Sequence, residues 1–552
     1  MKFIRRMWNS KIINWLLLFV ILFQIFVIIY FGMKKSNLYG DEILTFNLAN
    51  RYYEPFLGNA GPYFNRWLSS DFWNTVITVS GKHRFAYDSV YYNQARDVHP
   101  PFYYYLIHTI CSFFPGVFSK WFGILPNIVF FILTQLVIYQ IGNTITANRI
   151  FSISLVIFYG FSWGIINNIV YIRMYAMLSF WAIVSFYLHI KLIKQFNHKI
   201  LFLTLLTAWL GTLTQYYFLV YQFFVSLGFC IYLLWHKKKK ELIQYSLGFL
   251  LVMILAVGYF PPLINHFTKT TQGKTAFQNL YRSSYIDRIK TFAHIISKDL
   301  FGAHILWAIK GYFAILIFKG ISKILNIKGN LTRKYVEVMV SMNHNKLIAK
   351  YDFQEKDYIV IYMAFVSLFY FSVISKVAPY FVSRYLVIIY PLISFVFIYF
   401  LSKLILLFTQ CKLAIISITC VISLICAVKF YDKVNLFQFN KDLCKVEQVI
   451  RGEKGDIAFL VVNQNENWWP TINQTLTMKE TDQSYMLREE KLKQLGNILK
   501  DYNNNHSKIL VYQTNSVKTD EKKFIQKLKT YSGYDKCKLL DNYIGKIYLL
   551  EK

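Results

Sequence analysis

Residues 13–33 read INWLLLFVILFQIFVIIYFGM, an apolar run without a charge, and Tyr39-Gly40-Asp41-Glu42 follows close behind it. A helix of that length crosses ~30 Å of hydrocarbon. The basic start MKFIRR resembles a signal peptide, but the run is long for a signal core and no small-residue cleavage site follows. The segment therefore reads as a retained anchor, with two adjacent carboxylates placed where lipid gives way to water.

Similar runs recur along the 552 residues, which are 55% hydrophobic and 19% aromatic, with a mean hydropathy of +0.34. That balance excludes a single soluble globule and points to a polytopic α-helical membrane protein. The net charge of +32 fits basic cytoplasmic loops. No base-stacking module or basic groove accompanies it, so nucleic acid is not an expected partner. The seven cysteines show neither CxxC nor a Cys/His metal spacing.

Apolar runs predict about eleven spans: 13–33, 121–142, 149–166, 174–194, 200–214, 216–235, 243–262, 303–325, 358–376, 384–407 and 412–430. The stretch 102–114 is too short to cross and is stopped by Pro115-Gly116. Treating it as interfacial puts Lys237–Lys240, the Lys191/Lys194/Lys199 cluster and the loop 326–357 on the same side as the basic N-terminus. The positive-inside rule makes that side cytoplasmic. The loop 34–120, which should carry short surface helices, then lies outside, as does the chain after 431. Residues 1–431 form the expected membrane domain. Residues 432–552 form an expected extracytoplasmic α/β domain, with strands at 456–462, 508–514 and 544–550 and helical spacing at 482–502 and 518–531.

The candidate chemistry sits at span ends on the outer side. Asp41-Glu42 reads either as a solvated acidic loop or as a catalytic pair. In the second reading Asp41 is a general base, its pKa raised by low-dielectric surroundings, and Gly40 gives it freedom to turn. Carboxylates also suit a divalent cation, though two adjacent ones rarely complete a site. Asp97-Val98-His99-Pro100-Pro101 places an acid and a histidine where two prolines fix the entry to a helix. Tyr171-Ile172-Arg173-Met174-Tyr175 and Ser383-Arg384-Tyr385 each put an arginine at a span end. They read as interfacial anchors or as guanidinium forks for a phosphate, with Lys376 near enough to join them. Gln215, in the turn before Tyr216-Tyr217, is the weakest candidate.

With these motifs the chain resembles the GT-C glycosyltransferases, in particular the family 39-like group of protein O-mannosyltransferases and aminoarabinose-lipid A transferases. The resemblance covers roughly residues 1–430. It implies a GT-C fold, an external active site, a polyprenyl-phosphate-sugar donor and Asp41 as catalytic base. The acceptor that the resemblance implies is a glycan, lipid or protein. The lysine that follows the two prolines in the mannosyltransferases is replaced here by Phe102-Tyr103-Tyr104, so mannose is not inherited as the sugar. The alternative reading is a transporter or flippase of lipid-linked sugars. Against it, no half-to-half repeat is evident and the polar residues gather at one face.

Overall fold

Inside a bilayer a lone segment satisfies all its backbone N–H and C=O groups only as a helix, and the computed structural model of the chain follows that rule. It describes residues 2–56, 60–281, 284–304, 355–406, 409, 411–431, 457–463, 468–502, 507–542 and 545–552. Seven helices are long and apolar enough to cross: Lys11–Lys34, Trp121–Thr146, Tyr175–Lys194, Tyr217–Trp235, Lys239–Tyr259, Lys356–Val377 and Val387–Leu406. Each matches an expected span. An eighth is broken, its halves Arg149–Gly160 and Trp163–Val170 meeting at 61°. At the break Ser162 Oγ donates to the Phe158 carbonyl at 2.6 Å. Gln24 and Gln135, from two neighbouring spans, donate to the Val156 carbonyl at 2.9 and 3.4 Å. A Cβ at Gly160 would collide with both glutamines, so the close approach needs glycine there.

Two further expected spans, 200–214 and 412–430, fall on the shorter apolar helices His198–Thr214 and Leu413–Val428; a 17-residue helix is about 26 Å long. The expected span 303–325 lies, beyond its first two residues, outside the described residues. The loop 34–120 does carry short helices: Gly40–Asn50, Ser70–Ile77, Tyr87–Arg96 and Phe102–Phe113. The last has 12 residues, about 18 Å, which agrees with reading 102–114 as non-spanning.

The tail folds around a six-stranded sheet of order β1-β3-β2-β4-β6-β5. The strands are β1 (Trp67–Ser69), β2 (Ile457–Val462), β3 (Gln483–Arg488), β4 (Lys508–Gln513), β5 (Lys536–Asp541) and β6 (Lys546–Glu551). β2 is central, parallel to β3 and to β4. Every residue of it is buried, which is why it reads as an unbroken apolar run. Ile457, Phe459 and Val461 pack in the tail's own core with Leu495, Phe524 and Leu528. Ala458, Leu460 and Val462 belong to the large core shared with the loop 34–120 and the helices.

Two features depart from the sequence reading. The stretch 482–502 is not one helix: it opens as β3, turns through Glu489–Gln494 and becomes helical only at Leu495–Asp501. In addition, β1 belongs to the loop 34–120. It pairs antiparallel with β3, Trp67 opposite Tyr485, and Trp73 Nε1 donates to Ser484 Oγ at 2.7 Å. Trp468 stacks on Phe56 with centroids 3.9 Å apart. Loop and tail therefore interlock.

Candidate functional site

The site starts at the first turn of the helix Gly40–Asn50. Tyr39 is extended, and the Glu42 carboxylate reaches back to accept its N–H at 2.8 Å, which satisfies one donor of the helix start. Successive helical residues point about 100° apart, so the two adjacent acids diverge. Glu42 is fully buried. It accepts from Lys35 Nζ at 2.9 Å and from the Ile172 N–H at 2.8 Å, tying the end of the first span to the segment before Tyr175. Burial pushes the Glu42 carboxyl up and the Lys35 ammonium down, and the contact between them pulls each back.

Asp41 turns the other way. Its Oδ2 accepts from the Tyr171 hydroxyl at 3.0 Å and from Arg384 Nη1. Burial alone would raise this carboxyl, as the sequence reading expects. The charges of Arg384 and Arg173, the Tyr171 hydrogen bond and His99 outweigh it, and the net shift is downward. The expectation of a raised pKa is thereby corrected: charge beats desolvation here. Gly40 is likewise not a swivel. It lies inside the helix, and a Cβ on it would come within 2.7 Å of Asn473 Oδ1 and 3.3 Å of Ile472 Cγ2. The glycine lets the tail dock beside Asp41.

Arg173 is buried and held from several sides. Its Nη1 lies 3.1 Å from the Asp41 carbonyl, from Thr45 Oγ1 and from the Tyr104 hydroxyl; its Nη2 lies 3.2 Å from His99 Nε2. Arginine can only donate, so His99 Nε2 accepts and the proton of a neutral ring sits on Nδ1. Nδ1 then donates to Asp97 Oδ2, 2.7 Å away. Burial depresses the His99 pKa, Asp97 opposing it and Arg173 adding to it, in keeping with this neutral tautomer. Asp97 stays low despite burial, held down by His99 and Arg173. The Asp-x-His pair thus orients an arginine. Pro101 caps the start of the helix Phe102–Phe113, which brings Tyr104 to the same guanidinium.

A cleft of about 170 Å³ joins these groups. Asp41, His99, Arg173, Tyr175, Gln215, Arg384 and Tyr385 line it, together with Tyr216, Tyr217 and His266. Glu42, Asp97, Pro100, Pro101 and Lys376 are not in its wall. The Lys376 ammonium lies over the Tyr285 ring, 5.2 Å from its centroid. Gln215 caps the helix His198–Thr214, and its side-chain oxygen accepts from the Tyr216 N–H at 2.6 Å. On the other side of Arg384 lies a second cavity of about 230 Å³, lined among others by Asn168, Tyr171, Lys298, Asp299 and Ser383. Burial pushes the Asp299 carboxyl up to about 6. Among the described residues no group of three or more His, Cys, Asp or Glu converges as a metal site.

Sequence reasoning missed the part played by Tyr171, Thr45, Tyr104 and His266. Tyr171 stands in the quoted Tyr-Ile-Arg-Met-Tyr stretch, where its only distinguishing sign is nearness to Arg173. Thr45, one helical turn after Asp41, was findable by i,i+4 spacing. His266 accepts from or donates to the Tyr216 hydroxyl at 2.8 Å, with no motif around it.

No family model and no curated protein matches the chain. Among solved structures it is similar to ArnT from Cupriavidus metallidurans bound to undecaprenyl phosphate, at a TM-score of 0.48 and 10% identity, over 96% of this chain and 97% of that one. It is similar also to the same protein in the apo state, at a TM-score of 0.47 and 9% identity over the same shares.

Proposed function

We propose that the chain is a GT-C-type membrane glycosyltransferase using a polyprenyl-phosphate-linked sugar. The observation that supports this most is the gathering of two guanidiniums, Arg173 and Arg384, and one carboxylate, Asp41, in the wall of a single cleft. Arg173 and Arg384 stand just before the long apolar helices Tyr175–Lys194 and Val387–Leu406, and they reach Asp41 from there; a lipid phosphate comes to such helix ends while its tail stays in hydrocarbon. Guanidinium forks match phosphate oxygens. In the reaction the acceptor oxygen bonds to the anomeric carbon as that carbon's bond to the phosphate oxygen breaks. The acceptor proton passes to Asp41. The bonding electrons leave with the polyprenyl phosphate, whose charge the arginines stabilise. Neutral His99 keeps Arg173 aimed through Asp97. Following the Lys/Arg distribution, the cleft opens on the extracytoplasmic side, with the N-terminus cytoplasmic and the tail outside. The tail assists acceptor capture or lid closure and supplies no catalytic group.

The test is turnover by purified protein in nanodiscs given polyprenyl-phosphate sugars and envelope acceptors from the native membrane. Sugar transfer with release of polyprenyl phosphate is expected. If neither transfer nor phosphate-dependent lipid binding occurs with any such pool, the reading fails.

A further inference from the structure

The Asp41 carboxylate, cast above as the base, is engaged. Its Oδ2 receives both the Tyr171 hydroxyl, at 3.0 Å, and Arg384 Nη1. The same Nη1 donates to the Tyr171 oxygen at 2.7 Å, so the three groups close a triangle. An oxygen bound in this way is a poor proton acceptor, because both contacts stabilise its anion. Yet Arg384 also lines the cleft beside Arg173, and the Nε of each finds no acceptor among the described residues. Two guanidiniums with donors to spare flank one monocarboxylate, which Arg384 contacts directly while Arg173 reaches the Asp41 main-chain carbonyl.

A phosphate entering the cleft offers several acceptor oxygens and more charge than a carboxylate. It would compete for the guanidinium that lies nearest the cleft opening. Arg173 is poorly placed to respond: it is 4% exposed and fixed by Thr45, Tyr104 and His99. Arg384, whose side chain is 18% exposed, has fewer such ties. Resting on the reading above, we propose that Tyr171 and Arg384 form a latch on the Asp41 carboxylate, and that the donor's phosphate opens it by drawing Arg384 to itself. Tyr171 is the positioning residue of this device. It holds Arg384 on Asp41 until phosphate arrives, and it remains as a single neutral hydrogen bond afterwards. Asp41 then loses its nearest positive neighbour and regains proton affinity once a sugar is in place. Donor binds before acceptor.

The experiment is carbodiimide modification of the full chain in phosphatidylcholine nanodiscs, read by peptide mass spectrometry. Asp287, 79% exposed and 3.6 Å from the exposed Lys290 ammonium, is the internal standard. The arms are no addition, undecaprenol and undecaprenyl phosphate, with lipid binding followed by native mass spectrometry. Asp41 should be poorly modified alone and with undecaprenol. With undecaprenyl phosphate its modification should rise about tenfold, the scale of one charge-assisted hydrogen bond lost. Tyr171→Phe should show a several-fold rise before any lipid is added, with Asp287 unchanged. If undecaprenyl phosphate binds and Asp41 modification does not rise in the parent, Arg384 is a fixed clamp. The latch then fails while the phosphate reading stands. If undecaprenyl phosphate does not bind at all, the phosphate reading fails and the latch with it.

Discussion

Asp41 and Glu42 are adjacent on the chain and belong to two different regions of the molecule. Asp41 faces the cleft, its side chain 15% exposed, with arginines as partners. Glu42 lies in the core at 0%, against Lys35 and two backbone N–H groups. A single helical step separates an acid that can meet a substrate from one that ties the fold together. An acidic pair in sequence is therefore not a dyad in space. The first way to break this comparison is Asp41→Asn, which keeps size and polarity but cannot take a proton. Turnover of a polyprenyl-phosphate sugar should fall ~10²–10⁴-fold, with fold and lipid-phosphate binding retained. Near-parental turnover would remove Asp41 from the chemistry.

Glu42→Gln should act on stability instead. It leaves the Lys35 ammonium buried without its anion, a loss on the order of 3–5 kcal/mol for a broken buried pair. Thermal unfolding in detergent reads this, and Lys35→Met with Glu42→Gln should recover much of it. Full stability combined with lost turnover would make Glu42 catalytic and erase the distinction drawn above.

Much of this was legible in the chain and some was not, for physical reasons. Long spans announce themselves because lipid demands an unbroken apolar run, so their places were readable. The break at Phe161-Ser162 was not, since an apolar run says nothing of a bend that Gln24 and Gln135 stabilise from other helices. Strands β2, β4 and β6 carry dense apolar runs and were found. β1 has three residues and exists only by pairing with β3, more than 400 residues away, so no local pattern marks it. The motif arginines, His99 and Asp41 were located by position at span ends. Their mutual contacts, and the sign of the Asp41 shift, depend on distances that spacing cannot give.

Arg173→Lys keeps the charge and loses the fork. The ammonium cannot serve Thr45, Tyr104 and His99 in the guanidinium's plane, so undecaprenyl-phosphate affinity should fall about tenfold. Unchanged affinity would make Arg173 an interfacial anchor. A pH series sharpens the same point. The folded Asp41 pKa is lowered, so its carboxylate protonates at a lower pH than it would without Arg384 and Arg173. The acid limb of kcat/KM, which reports the free protein, should therefore lie lower than the limb of kcat, where phosphate has taken Arg384. Coincident limbs would mean that the Arg384 contact persists in the complex.

The smallest expected effect concerns Gly40, and it separates two accounts of one residue. If glycine is there to let Asp41 turn, alanine should stiffen the helix start and help folding, by up to ~1 kcal/mol of helix propensity. The contacts argue the reverse. A Cβ would sit 2.7 Å from Asn473 Oδ1 and 3.3 Å from Ile472 Cγ2, and Ile472 is fully buried. Overpacking of this kind costs about 1–3 kcal/mol, which exceeds the propensity gain, so Gly40→Ala should be destabilising by roughly 1 kcal/mol. Asn473 Oδ1 is buried and makes no hydrogen bond among the described residues, so Asn473→Ala alone should be nearly neutral. It also opens the space that the new methyl needs. The double variant should then return to parental stability or pass it, a coupling that a double-mutant cycle measures directly. Additive effects, or a stabilising Gly40→Ala, would show that the tail does not press on the helix carrying Asp41. The same cycle scored on acceptor KM tells whether that pressure reaches the reaction: coupling in stability alone makes the tail a support, and coupling in KM as well makes it part of acceptor capture.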